Sequence, residues 1–236
     1  MTAEPANEDP ATSEDDQLGR YADPSTYLRT ISEALQAEWP DNRLVRVVCH
    51  GHSVPAGYFR TPEIRPFDAY PHLTHRLVQE KYPTGMVDFV RTAVGGENAE
   101  SGAERFERDV LSLRPDVVCI DYALNDRSIG LERAHMAWVS MIESALEQGA
   151  AVILFTPTPD LSAHDRWLAE HAVQIRSLAS KYEVGLVDSS ALFDEYASSQ
   201  GPLEPLMSQP NHPNRLGHAI VAAHLARWFT QPVASE

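Results

Sequence analysis

Basic residues are scarce in this chain: 19 Lys and Arg stand against 34 Asp and Glu, a formal net charge of −15. A nucleic-acid binder needs a basic footprint to neutralise phosphates, so this balance argues against that class and against docking on anionic membranes. The surplus negative charge reads as solubility. Long hydrophobic runs are also missing, and no stretch approaches the roughly 18 apolar residues of a membrane helix. The acidic N-terminus lacks the apolar segment of a secretory leader. Cysteine is nearly absent. Cys49 and Cys119 both lie in apolar, strand-like runs, which predicts buried thiols in a reducing cytoplasm rather than a disulfide. Metal-ligand spacing is lacking as well: His50 and His52 alternate with no further Cys or His nearby. Neither a metal nor a cofactor is therefore expected.

Residues 1–19 carry Glu4, Glu8, Asp9, Glu14, Asp15 and Asp16 and no basic residue, with almost nothing apolar to bury. Residues 1–20 are accordingly expected to form a disordered acidic tail ahead of one domain over 21–236. Within that domain, five short, nearly continuous apolar runs fall at 44–49, 86–92, 116–121, 151–156 and 184–188. Such runs suit strands covered on both faces of a parallel sheet. Helical periodicity falls at 27–37, 70–82, 101–113, 131–148, 163–182 and 215–229. Strand and helix in alternation, with right-handed crossovers, predict an α/β fold: a three-layer α/β/α sandwich around a five-stranded parallel sheet. Ligands of such sheets bind outside the carboxyl ends of the strands, where Ser53, Gly96, Asn125 and Pro157 all fall.

Ser53 follows the first strand through His50-Gly51-His52, and His212 lies 159 positions later in Gln209-Pro210-Asn211-His212-Pro213-Asn214. Serine is a weak nucleophile until a base takes its proton, and histidine is suited to that near neutral pH. The Gly-x-Ser-x-Gly elbow of ordinary α/β-hydrolases is missing, since Val54 and Pro55 follow Ser53. Four blocks can be read in order: Gly51-His52-Ser53, Gly95-Gly96-Glu97-Asn98, Ala123-Leu124-Asn125-Asp126 and Asn211-His212-Pro213-Asn214. In order and placement they resemble the SGNH (GDSL-type) hydrolases over about residues 44–230. The resemblance implies a flavodoxin-like sandwich and a serine-dependent ester hydrolase, an acylhydrolase or deacetylase acting on a small acylated substrate. It implies Ser53 as nucleophile and His212 as general base. The backbone N–H groups of Ser53 and Gly96 and the side-chain amide of Asn125 are implied as the oxyanion hole.

Each residue also has a plainer reading. Ser53 suits a strand-to-loop cap, Asn125 an Asx turn, and His212 the entry of the last helix. Asp126 reads as structural and His218 as a packing or surface residue. Three positions depart from the family pattern. Ala123 replaces a glycine, a small change. His52 replaces an aspartate, and reads as a structural hydrogen bond or a second base. Gln209 stands where the triad aspartate belongs; its carbonyl can still accept the imidazole N–H and orient His212, but a neutral amide stabilises an imidazolium less well. Glu204 is the nearest alternative carboxylate. Two other readings stay open: an impaired member that binds an acylated or glycosylated ligand, and an acyltransferase. The loops 55–68, 156–163 and 196–210, with Tyr58, Phe59, Phe67, Trp167 and Tyr196, are expected around the pocket, and the oligomeric state is left open.

Overall fold

The computed structural model describes residues 21–162 and 166–231; the expected acidic tail at 1–20 lies outside them. The elements run α1 (Arg29–Gln36), β1 (Leu44–Gly51), α2 (Ser53–Ala56), α3 (Tyr70–Lys81), β2 (Met86–Arg91), α4 (Ala99–Glu104) and α5 (Phe106–Asp109). They continue through β3 (Val117–Asp121), α6 (Ala123–Asp126), α7 (Leu131–Glu147), β4 (Ala151–Phe155), α8 (Arg166–Lys181), β5 (Gly185–Val187) and α9 (Ser189–Ser199). A small antiparallel hairpin, β6 (Met207–Gln209) and β7 (His212–Pro213), leads into α10 (Arg215–Thr230).

The five main strands form one parallel sheet in the order β2-β1-β3-β4-β5. Alternate residues of each strand face opposite layers. Val45, Val47, Cys49, Val117, Cys119, Ile153 and Phe155 pack with α1, α3 and α10, through Leu35, Leu73, Val78, Leu225 and Phe229. Val48, Val118, Ile120, Val152 and Leu154 pack on the other side with α7 and α8, through Trp138, Met141, Ile142, Ile175 and Leu178. Both faces are covered, which explains why the strands read as continuous apolar runs. Cys49 and Cys119 are register partners in this core, buried and free. No helix among the described residues is long and apolar enough to cross a membrane.

The expected sandwich is therefore present, with local differences. β1 runs to Gly51 rather than 49, because β3 continues the ladder through His50↔Ile120 and Gly51↔Asp121. The helix expected over 101–113 breaks at Arg105 into α4, α5 and a 3-10 turn. Arg105 there turns inward onto Glu97, Asp109 and Tyr122. The polar helix α9 follows β5 at once; Asp188 accepts from the Ala191 N–H at its start, a cap visible in the sequence as an Asp before two serines.

The order of strand addition reverses at β1, since β2 pairs on one side of it and β3 on the other. This switch point opens a crevice at the carboxyl ends of the strands. Ser53 leaves β1 there, Gly96 leaves β2, Asn125 leaves β3, and the β6–β7 hairpin brings in His212.

Candidate active site

Ser53 is the first residue of α2, and His52 is its N-cap. His52 Nδ1 accepts the Val54 N–H at 3.2 Å, and its Nε2 lies 3.3 Å from Asp121 Oδ1. The ring thus fixes the short helix to the end of β3, which matches the structural reading of position 52. Asp121 Oδ2 also accepts the Tyr70 hydroxyl at 3.1 Å. Ser53 Oγ lies 3.4 Å from His52 Nδ1 and 2.9 Å from His212 Nε2.

The tautomer of His212 follows from its other contact. Nδ1 is 2.8 Å from the carbonyl oxygen of Phe59. A carbonyl only accepts, so Nδ1 carries the proton and Nε2 presents its lone pair to the Ser53 hydroxyl. Ser53 O–H therefore donates to His212. Both residues are buried, His212 to 5% exposure. Burial holds the imidazole pKa below its ordinary value and His52 adds to that, whereas the Phe59 bond and the Asp160 carboxylate act in the opposite sense.

Gln209 does not orient His212. The two residues face each other in the hairpin, but the glutamine amide is engaged elsewhere. Its Oε1 accepts the Thr61 N–H at 3.0 Å and its Nε2 donates to Asn211 Oδ1 at 2.9 Å. The acceptor expected of Gln209 is the Phe59 carbonyl. Glu204 is exposed on the 3-10 turn Glu204–Leu206, away from this bond. The carboxylate whose charge reaches His212 is Asp160, held by Arg127 at 3.0 Å with its side chain 4% exposed. It acts through space, without a hydrogen bond to the ring.

A test follows. Gln209→Asp is expected to leave kcat/KM within about threefold of wild type, the scale of a half-exposed substitution that touches no reacting group. A tenfold or greater rise in steady-state hydrolysis would mean that a carboxylate at 209 reaches Nδ1 and displaces Phe59.

The remaining block residues meet in the same crevice. Asn125 Nδ2 donates to the Glu97 carbonyl at 2.9 Å, tying β3's exit to the loop that carries Gly96. An amide nitrogen has two N–H groups, so one stays free for an incoming oxygen. Gly96 has φ 84°, a left-handed backbone that favours glycine, with open space where a Cβ would sit. Gly95 is constrained differently: a Cβ there would strike the Tyr58 ring, and that ring tilts over His212 at 6.1 Å. Arg105 grips Glu97 at 2.9 and 3.0 Å and holds the loop. Asp126 is structural, accepting from the Ala99 N–H and Trp138 Nε1 at 2.7 Å each.

Of the other expected pocket residues, Phe59 is buried, while Phe67 and Trp167 are exposed. The loop after β4 reaches the hairpin through the Leu161 N–H to Pro210 carbonyl bond of 2.8 Å. Beside it lies a cavity of about 260 Å³ lined by Pro157, Thr158, Asp160, Leu168, Arg176 and Phe193. Ser53 and His212 do not line this cavity.

A family model described as the GDSL-like lipase/acylhydrolase family matches residues 49–220, a span that includes Ser53, Gly96, Asn125 and His212. No curated protein matches the sequence. Among solved structures, a two-domain esterase (CEX) active on acetylated mannans superposes with a TM-score of 0.75 at 18% identity. That match covers 93% of this chain and 56% of the other, so this chain spans little more than half of that esterase. Axe2, an acetylxylan esterase from Geobacillus stearothermophilus, superposes with a TM-score of 0.70 at 20% identity, covering 81% of this chain and 96% of that one. At these identities the likeness is one of fold.

Proposed function

This chain belongs to the GDSL-like lipase/acylhydrolase family, and from that premise we propose that it hydrolyses small carboxylic esters through an acyl-Ser53 intermediate. The observation that carries the proposal is the 2.9 Å contact between Ser53 Oγ and a His212 whose proton sits on the opposite nitrogen. His212 takes the Ser53 proton as Oγ attacks the ester carbonyl. The tetrahedral oxyanion is met by the backbone N–H groups of Ser53 and Gly96 and by the free amide N–H of Asn125, donors fixed before reaction. Protonated His212 then gives its proton to the leaving alkoxide, and the acyl group stays on Ser53. Water, deprotonated by the same imidazole, attacks the acyl-serine; the acid leaves and Ser53 regains its proton.

The base is a dyad with a backbone carbonyl in place of the usual acid. A carbonyl dipole fixes the ring but stabilises an imidazolium less than a carboxylate does, and the Asp160 charge supplies part of the difference. Acetylated carbohydrate is the first substrate class to try, since CEX acts on acetylated mannans and Axe2 is an acetylxylan esterase.

Incubation with a fluorophosphonate probe followed by peptide mass mapping tests the reading. The expected result is one phosphonylated site, Ser53, with parallel loss of p-nitrophenyl acetate hydrolysis. An unlabelled Ser53 in folded protein overturns it.

A further inference from the structure

His218 lies one turn into α10 with 0% exposure. Its Nε2 has no partner, although leaving a buried donor unpaired is costly. Simple filling of the core would favour an apolar side chain at such a place, so the imidazole calls for a reason.

Two contacts supply one. Nδ1 accepts the Tyr70 N–H at 3.2 Å. Tyr70 opens α3, whose N-cap Ala69 has no side chain able to satisfy that donor, so His218 caps the helix from outside. The flat face of the same ring stacks on Phe59, with centroids 5.4 Å apart and planes at 25°. Arg65 lies over the Phe59 ring as well, 5.3 Å from its centroid. The Phe59 N–H donates to the Glu63 carbonyl at 3.0 Å, and its own carbonyl holds His212.

The contacts close into a circuit around the nucleophile. From Ser53 it passes to His52, Asp121 and the Tyr70 hydroxyl, then from the Tyr70 N–H to His218, Phe59, His212 and back. We infer that His218 is a positioning residue: its stacked ring holds Phe59, whose carbonyl replaces the triad acid, while its Nδ1 caps the helix that Tyr70 opens. An apolar ring would support Phe59 but leave the Tyr70 N–H unpaired. A small polar residue would cap α3 but leave Phe59 loose. Only an aromatic ring with an acceptor nitrogen does both. Burial pushes the His218 pKa down to about 3, so Nδ1 keeps its lone pair at any working pH. The inference rests on the dyad reading above.

His218→Asn keeps an acceptor for Tyr70 and removes the stack, whereas His218→Phe does the reverse. For p-nitrophenyl acetate, His218→Asn is expected to lower kcat about 10- to 100-fold, the usual effect of a slightly misplaced catalytic group, with KM nearly unchanged. The downfield proton resonance of the His212 Nδ1–H should broaden or vanish. His218→Phe should retain the resonance and keep kcat within about threefold while losing thermal stability through the unpaired N–H. If His218→Asn does not fold, Phe59→Leu, which keeps the carbonyl and deletes the stacked ring, carries the same expectation. Folded His218→Asn (or Phe59→Leu in its place) with kcat within twofold and an intact resonance overturns the inference. A fall in His218→Phe as large as in His218→Asn overturns it too. Wild-type labelling at Ser53 separates the outcomes: failure to label strikes the dyad, while normal labelling with unmoved His218→Asn strikes only the positioning role.

Discussion

Ser53→Ala is expected to lower kcat/KM for p-nitrophenyl acetate about 10,000-fold or more, to the level that an oxyanion hole and a base give with water alone. Ser53 Oγ is the hydroxyl in hydrogen-bond contact with His212 Nε2. Without it the imidazole can at best activate a water in place of the hydroxyl. The substitution removes one oxygen atom and no core packing. The His52 cap on Val54 and the Phe59 bond to His212 both remain, so the melting temperature should move little. Steady-state assay, with circular dichroism to show that the variant is folded, checks this. Retention of more than about 1% of the activity would place the nucleophile elsewhere or give the role to water, since loss of a serine nucleophile costs far more than a hundredfold in a comparable hydrolase.

That Ser53 and His212 are adjacent could be foreseen, because each block carries its chemistry in side chains and sits at a strand end. The apolar runs located the sheet for a similar reason: strands covered on both faces leave an unbroken hydrophobic record. The acceptor for His212 Nδ1 could not be read in the same way. It is a backbone carbonyl, which every residue possesses, and nothing in the letters Tyr58-Phe59-Arg60 announces that this one points at an imidazole. Gln209 is the natural candidate by spacing, yet its amide is taken by Thr61 of the loop after α2 and by Asn211 of the hairpin turn. His218 was ambiguous between core and surface because α10 is apolar on much of its circumference; only packing against α3 shows it buried. Asp160 and Arg127 were equally silent. Their pairing spans the loops after β4 and β3, and no local pattern encodes a contact between residues so far apart in the chain.

His212→Gln is expected to cost about 10,000-fold in kcat/KM and, unlike Ser53→Ala, to remove the acid limb of the rate–pH profile from whatever activity remains. In wild type, attack needs the neutral imidazole. Burial is the largest influence on His212 and holds its pKa below the ordinary value, about 6.5 for histidine. Activity should therefore be level through neutral pH and fall only below 6.5, as protons occupy Nε2. An acid limb above that value would mean that the Asp160 charge outweighs burial. The sign is opposite to that of a carboxylate-backed histidine, whose imidazolium is stabilised and whose limb moves up. Stability changes in the same direction and must be kept apart from it. His50 and His218 are buried neutral, their pKa values pushed down to about 4 and about 3. As pH drops below the unfolded histidine value of about 6.5, the unfolded chain takes up protons that the fold refuses, so stability declines steadily. The two effects separate by time and by variant. Protonation of His212 reverses at once on return to neutral pH and is absent from His212→Gln, whereas unfolding driven by His50 and His218 persists in that variant.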